Sequence, residues 1–348
     1  MAFNEILIKN NVYDERMNRE NMAPVFSPKY EAQQGSLLEK LHNYGSDIQE
    51  KAFGDISSFN FSRDVFWKGE WNEMTTKARG LFLNNKTGKI VARGFEKFFA
   101  YKERGYNTDE FLESNLKFPV QVFVKYNGFL GILGYDENGL LFCSKSTVRG
   151  EYAEYFKEIF ERDDHKADEL LAYMREHNAG LVFEVIDPVR DPHIVKYREQ
   201  RIVLLDIISL KEDFENVKYD ELTDFAHEFN FLHKERYTWF SEWNELHKFL
   251  EKVANDGETP IEGYVLVDAN GYQFKLKGAW YKFWKWMRTL KDKVCKPGYQ
   301  LNVSGLDAKA LDVIGWMRRA HDMEYLQSHG IIDLRNEYEE ERNGVRKG

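Results

Sequence analysis

The chain has 348 residues, 43% apolar and 15% aromatic, so it can bury a sizeable core as one large domain with an appendage or as two modest domains. Its 49 basic and 58 acidic residues leave a net charge of −9, which speaks against a passive nucleic-acid coat but not against a basic groove on an acidic body. No apolar run is long enough for a bilayer, Met1 to Tyr13 are too polar for a signal peptide, and Cys143 and Cys295 are too few for a disulfide framework or a zinc site; a reduced, cytoplasmic protein with no membrane partner is expected.

In chain order, residues 36–51 predict a helix, with spaced leucines among Glu and Lys. Residues 80–83 and 89–95 predict strands joined across Asn84-Asn85-Lys86-Thr87-Gly88. Val120, Val122 and Val124 alternate, which puts Gln121, Phe123 and Lys125 on the other strand face. A second strand follows over 129–135, a turn at Asp136-Glu137-Asn138-Gly139, and a third strand to Ser144. Residues 150–178 again predict helix, and 181–186 and 201–208 predict buried strands. Residues 263–268 and 272–277 predict a hairpin across Asn270-Gly271, the strongest short turn signal in the chain. From about Trp280 the pattern is helical to the end. The expected fold class is α+β, with antiparallel sheets and helices followed by a small C-terminal helical region.

Several short patterns carry chemistry. Lys125-Tyr126-Asn127-Gly128 ends one strand and opens the next, so Lys125 can enter a pocket and Gly128 allows a tight turn and close approach of a ligand. A lysine is a nucleophile only when neutral, so cations or desolvation are expected to lower its pKa. Taken alone, the pattern reads as a turn with a surface lysine, since Lys-x-x-Gly is common by chance. Ser144-Lys145-Ser146 closes the third strand. Glu184 shares a strand face with Val182 and Ile186, where a carboxylate needs a partner. A satisfied core glutamate and a ribose-hydroxyl acceptor both fit. Glu262-Gly263 opens the hairpin and Lys275-Leu276-Lys277 closes it, with both lysines on one face. Either that face is solvated or a phosphate lies between the two ammonium groups. Residues 274–297 hold eight Lys and Arg against Asp292 alone, interleaved with Tyr281, Phe283, Trp284 and Trp286. An amphipathic helix with a solvated basic face accounts for this segment as well as polyanion contact does.

The order of these patterns resembles the nucleotidyltransferase superfamily of ATP-dependent ligases and mRNA capping enzymes. The series is Lys125-x-x-Gly128, Ser144-Lys145, Phe183-Glu184, the apolar strand around Val203-Leu204-Leu205-Asp206, Glu262-Gly263 and Lys275-Leu276-Lys277. The resemblance spans roughly residues 75–285. Each motif is weak and the ordered set is strong. Ala78-Arg79-Gly80-Leu81-Phe82 and Phe95-Glu96-Lys97-Phe98-Phe99 resemble elements of the phage RNA ligase 1 and tRNA ligase branch. After the last motif the sequence reads as helix, with no strand-rich OB-fold.

The resemblance implies a nucleotidyltransferase (adenylation) domain over 1–285, N-terminal extension included, and a helical domain over 286–348. It implies an ATP-dependent RNA ligase that joins 5′-phosphate and 3′-hydroxyl ends of RNA, tRNA included, through lysyl-AMP and RNA-adenylate. Lys125 would be the nucleophile. Glu184 would contact the ribose, and Glu262 would position Mg²⁺ or Mn²⁺. Lys275 and Lys277 would bind the α-phosphate, Lys145 would be a further nucleotide contact, and Arg79 and Lys97 would hold the triphosphate of ATP. Gly128 would complete the nucleotide pocket. A capping-type guanylyltransferase and a catalytically idle RNA-binding module of the same fold are the rival readings. No Gly-x-x-x-x-Gly-Lys-Ser/Thr loop occurs, so end healing is expected from a separate kinase or phosphatase.

Overall fold

The computed structural model describes residues 35–296, 298–342 and 344. The stretch Met1 to Tyr13 and the N-terminal extension up to residue 34 lie outside the described residues. No described helix is long and apolar enough to cross a membrane, and Cys143 and Cys295 are both free thiols.

The helix expected over 36–51 is shorter than its periodicity suggests. A capping box between Ser36 and Glu39 starts α1 (Leu37–Asn43). Gly45, at φ 54, then turns the chain, and β1 (Ile48–Phe53) follows. β1 exposes most of its residues, so its Gln, Glu and Lys imitate a polar helix face. β1 pairs with β2 (Ile56–Phe61), which the sequence reading did not anticipate. Two short helices, α2 (Arg63–Lys68) and α3 (Glu73–Lys77), lead to β3 (Leu81–Asn84) and β4 (Ile90–Arg93). These four strands form an antiparallel sheet in sequence order.

After α4 (Asp109–Asn115) come β5 (Val120–Lys125), β6 (Phe129–Asp136) and β7 (Gly139–Cys143). The helical stretch at 150–178 is two helices, α5 (Glu151–Phe160) and α6 (Ala167–His177), separated at Lys166 in a left-handed conformation. β8 (Ala179–Ile186), β9 (Arg201–Ser209), α7 (Tyr219–Glu228), β10 (Leu232–His233), β11 (Arg236–Phe240) and α8 (Trp243–Asn255) precede the hairpin β12 (Gly263–Val267) and β13 (Gln273–Lys277). The second sheet has the order β10-β9-β8-β6-β7 and the third β11-β5-β12-β13. Only the β9–β10 pair is parallel among the described pairs of named strands.

The third sheet buries one face. Val120, Val122, Leu266, Phe274 and Leu276 pack with Leu246 and Leu250 of α8 and Leu112 of α4. Its other face is turned toward the site described next. The second sheet packs Leu181, Phe183 and Val185 against α5, α6 and α7. After β13 the described residues form four helices: α9 (Ala279–Val294), α10 (Ala308–Ala320), α11 (Met323–Ser328) and α12 (Ile331–Arg342). Trp280, Trp284 and Met287 of α9 share a core with Val313, Met317 and Leu334 from the later helices.

Candidate active site

Strand register assembles the site. Gly263 on β12 pairs with Lys125 on one side and Lys277 on the other, and Val265 pairs with Phe123 and Lys275. Directly paired residues point to the same face. Lys125, Lys275 and Lys277 therefore rise from one sheet face, opposite the core side chains Phe274 and Leu276. Gly263, at φ 138, lies between two of these lysines, and an added Cβ would lie 1.9 Å from the Leu276 carbonyl oxygen.

Two buried carboxylates close over the Lys125 ammonium. Glu262 Oε1 lies 3.0 Å from Lys125 Nζ. Its other oxygen accepts from Asn127 Nδ2 at 2.8 Å. Glu184 Oε1 accepts from the Gly128 amide at 2.7 Å. The turn is tight there: a Cβ on Gly128 would come within 2.1 Å of the Val185 carbonyl oxygen. Burial pushes the Glu184 carboxyl up, while Lys125 pulls it down and Glu262 adds repulsion.

The electrostatics correct one expectation. Burial alone would lower the Lys125 pKa, but the carboxylates of Glu262 and Glu184 outweigh burial, and the pKa stands above the ordinary lysine value. In this structure Lys125 is therefore an ammonium, and it must lose a proton before it can attack. The expected depression falls instead on its neighbours. Burial pushes Lys277 down to about 8, with Lys285 and Lys125 adding repulsion. Lys275 is pushed well below the ordinary lysine value by burial and by Arg79, Lys97 and Lys125. Lys145 is lowered by desolvation and by the same Arg79 and Lys97. These cations raise the cost of each other's charge, as expected where an anion would be bound.

The outer cations are held by their own supports. The segment after β4 runs beside β13: Lys275 N donates to the Phe99 carbonyl, and Tyr101 N donates to the Lys275 carbonyl. Lys97 Nζ meets Glu103 Oε1 at 2.9 Å and lies 4.1 Å from the Phe99 ring centroid. Arg79 donates to the Phe95 carbonyl at 2.9 Å. All the anticipated residues, Arg79, Lys97, Lys125, Gly128, Lys145, Glu184, Glu262, Lys275 and Lys277, thus fall into one connected cluster. Sequence reading passed over Asn127, although it sits inside the Lys-x-x-Gly pattern, and Glu103, six residues after its lysine. It also gave no role to Tyr197, whose hydroxyl accepts from the Asn127 amide at 2.9 Å; nothing in its sequence context marks it. Asp206, in the apolar strand motif, accepts from Lys234, Asn216 and the Ile207 amide.

A cluster of lysines around two buried carboxylates can hold a polyphosphate and a hard divalent cation beside a nucleophilic amine. Residues 77–281, more than half of the chain, match the sequence profile of a family described as RNA ligase. A tRNA ligase of Candida albicans is 26% identical over 269 residues, covering 65% of this chain and 31% of that protein. A tRNA ligase 1 of Schizosaccharomyces pombe is 22% identical over 367 residues, covering 94% of this chain and 45% of that protein. The chain thus spans less than half the length of these curated relatives. Among solved structures, a Naegleria gruberi RNA ligase with PPi superposes at a TM-score of 0.42, with 20% identity over 50% of this chain and 54% of that one. A likeness that distant carries no further weight.

Proposed function

The chain belongs to the RNA ligase family, and from that membership we propose that it seals RNA ends with ATP, using Lys125 as the nucleophile. The observation that supports this reading best is the shared sheet face of Lys125, Lys275 and Lys277 beside Glu262 and Glu184. The Lys125 Nζ–P bond forms as the bond from the α-phosphorus to pyrophosphate breaks. AMP then passes from Lys125 to an RNA 5′-phosphate. An RNA 3′-hydroxyl attacks that activated phosphate and AMP leaves.

Lys275 and Lys277 offset charge on the α-phosphate in each step, and Lys97 with Arg79 holds the departing pyrophosphate. Lys145 adds a further nucleotide contact, and Glu184 accepts from the ribose. Glu262, a buried carboxylate with hard oxygen donors, suits Mg²⁺ or Mn²⁺, which would supply charge neutralisation at the phosphates. Engaging Glu262 elsewhere also weakens its hold on the Lys125 ammonium and so favours the neutral amine. We draw the adenylation part to residue 285 and the helical part after it; α9 crosses that boundary, and its first residues Trp280 and Trp284 already pack in the core of the later helices. RNA with 5′-phosphate and 3′-hydroxyl ends is the partner, tRNA included, and end healing falls to a separate kinase or phosphatase.

Incubation with Mg²⁺ and α-labelled ATP, then a denaturing gel, tests the reading. A labelled protein band is expected. Label from GTP in preference to ATP would indicate a capping-type enzyme, and no label from either would indicate an idle module.

A further inference from the structure

The loop between β8 and β9, residues 187–200, is anchored at two places. Ile194 is 3% exposed and belongs to the same core as Trp280, Trp284 and Leu334 of the C-terminal helices. Arg335, on α12 and also buried, donates to the Ile194 carbonyl. Its guanidinium lies 5.1 Å from the Trp280 ring centroid, so its position is set by the helical core. One residue further on, the Val195 amide donates to Asn127 Oδ1 at 3.0 Å. Asn127 Nδ2 donates to Glu262 Oε2 at 2.8 Å, and Glu262 Oε1 pairs with Lys125 at 3.0 Å. An unbroken series of polar contacts runs from α12 to Lys125.

We propose that the C-terminal helical unit is part of the active-site scaffold, and that Arg335 is a positioning residue acting through Ile194, Val195 and Asn127 on Glu262 and Lys125. The inference rests on the reading of Lys125 as the nucleophile. The physical reason lies in the Asn127 amide. Its oxygen is claimed by the Val195 N–H, so its NH₂ must face Glu262. That fixes one carboxylate oxygen and leaves the other for Lys125. If Ile194 is released, the Asn127 oxygen loses the Val195 amide that holds it, and the Asn127–Glu262 contact loses that support, leaving the Tyr281 hydroxyl as the other side-chain partner of Asn127. Groups that orient a functional side chain from behind set its geometry, and their loss typically costs on the order of 10–100-fold in activity.

The competing role for these helices is RNA docking. Lysyl-AMP formation separates the two, because it involves no RNA. The full chain is incubated with Mg²⁺ and α-labelled ATP and no RNA, and the rate of labelling is measured against ATP concentration. Arg335→Ala should lower the maximal rate roughly tenfold with less effect on the ATP concentration at half-maximum, because the orienting contact acts on Lys125 and not on the outer cations. Arg335→Lys, which keeps a donor for the Ile194 carbonyl, should recover much of the rate. Tyr338→Phe removes a 2.7 Å hydrogen bond to Asp312 from the same helix and should label like the wild type. The combination of Arg335→Ala with Asn127→Ala should be no slower than Asn127→Ala alone, since both interrupt one path.

Wild-type labelling by folded Arg335→Ala, or losses that multiply in the combined variant, would overturn the inference while leaving the ligase reading intact. If Arg335→Ala does not fold, Val195→Pro replaces it with the same expectations, because it removes the amide donated to Asn127 and leaves α12 untouched. A wild-type chain that takes no label removes both readings.

Discussion

Lys125 is buttressed by the paired Glu262 and by Glu184, and its lysine neighbours are the strained cations. Lys277 titrates near 8, against an ordinary lysine value of 10.5, and Lys275 is depressed as well. The unfolded chain therefore holds protons that the folded protein has released between about pH 8 and 10.5, and stability rises with pH wherever the unfolded state binds more protons. Lys125, held above 10.5, contributes stability that is lost only at higher pH still. The melting temperature should thus climb from about pH 7.5 to 9.5. Lys277→Met should flatten that climb, and a slope unchanged by the substitution would contradict the assignment. Gly128→Ala tests the turn: its Cβ has no room against Val185, so stability should fall by roughly 1–3 kcal/mol, measurable by denaturant titration. At this scale the sequence was legible where residue type and periodicity coincide. Lys125, Lys275 and Lys277 could be read from strand alternation. The raised pKa of Lys125 could not, because it depends on how close Glu262 and Glu184 come in space.

Among the elements, the hairpin β12–β13 was readable because Asn270-Gly271 is a local instruction. Gly271 takes φ 85, and Asp268 accepts from the amides of Asn270 and Tyr272 to lock the turn. β1 was misread because its Gln49-Glu50-Lys51 run, exposed in the sheet, shows no alternation between apolar and polar residues; β11 was missed although Arg236-Tyr237-Thr238-Trp239 alternates, and there the apolar residues Tyr237 and Trp239 are the exposed ones. The segment after β4 was read only as a motif, yet its docking along β13 brings Lys97 toward Lys275. On the proposed function, that placement would give Lys97 a task in the first step. Lys97→Ala should abolish sealing with ATP but largely spare sealing of pre-adenylylated RNA, where no pyrophosphate leaves. Lys275→Ala should harm both. Equal loss of both activities by Lys97→Ala would remove Lys97 from the pyrophosphate role.

Across the whole molecule, motif order was the most informative signal, since five of the six weak patterns come together in space although they lie on different sheets, while Asp206 of the sixth pairs with Lys234 and Asn216. The contact between the helical unit and the loop at Ile194 was invisible, because nothing local links residues 141 positions apart. The basic segment 274–297 turned out to be two things at once. Tyr281, Phe283 and Trp284 are core, while Lys285, Arg288 and Lys293 are exposed. Those exposed cations predict that RNA binding weakens steeply as salt rises, by filter binding or anisotropy, whereas salt-insensitive binding would place the RNA elsewhere. The central claim is that Lys125 carries the nucleotide, and intact-mass measurement after incubation with ATP and Mg²⁺ tests it most directly. The wild type should gain one AMP and Lys125→Ala none; an AMP adduct on the alanine variant would contradict the account.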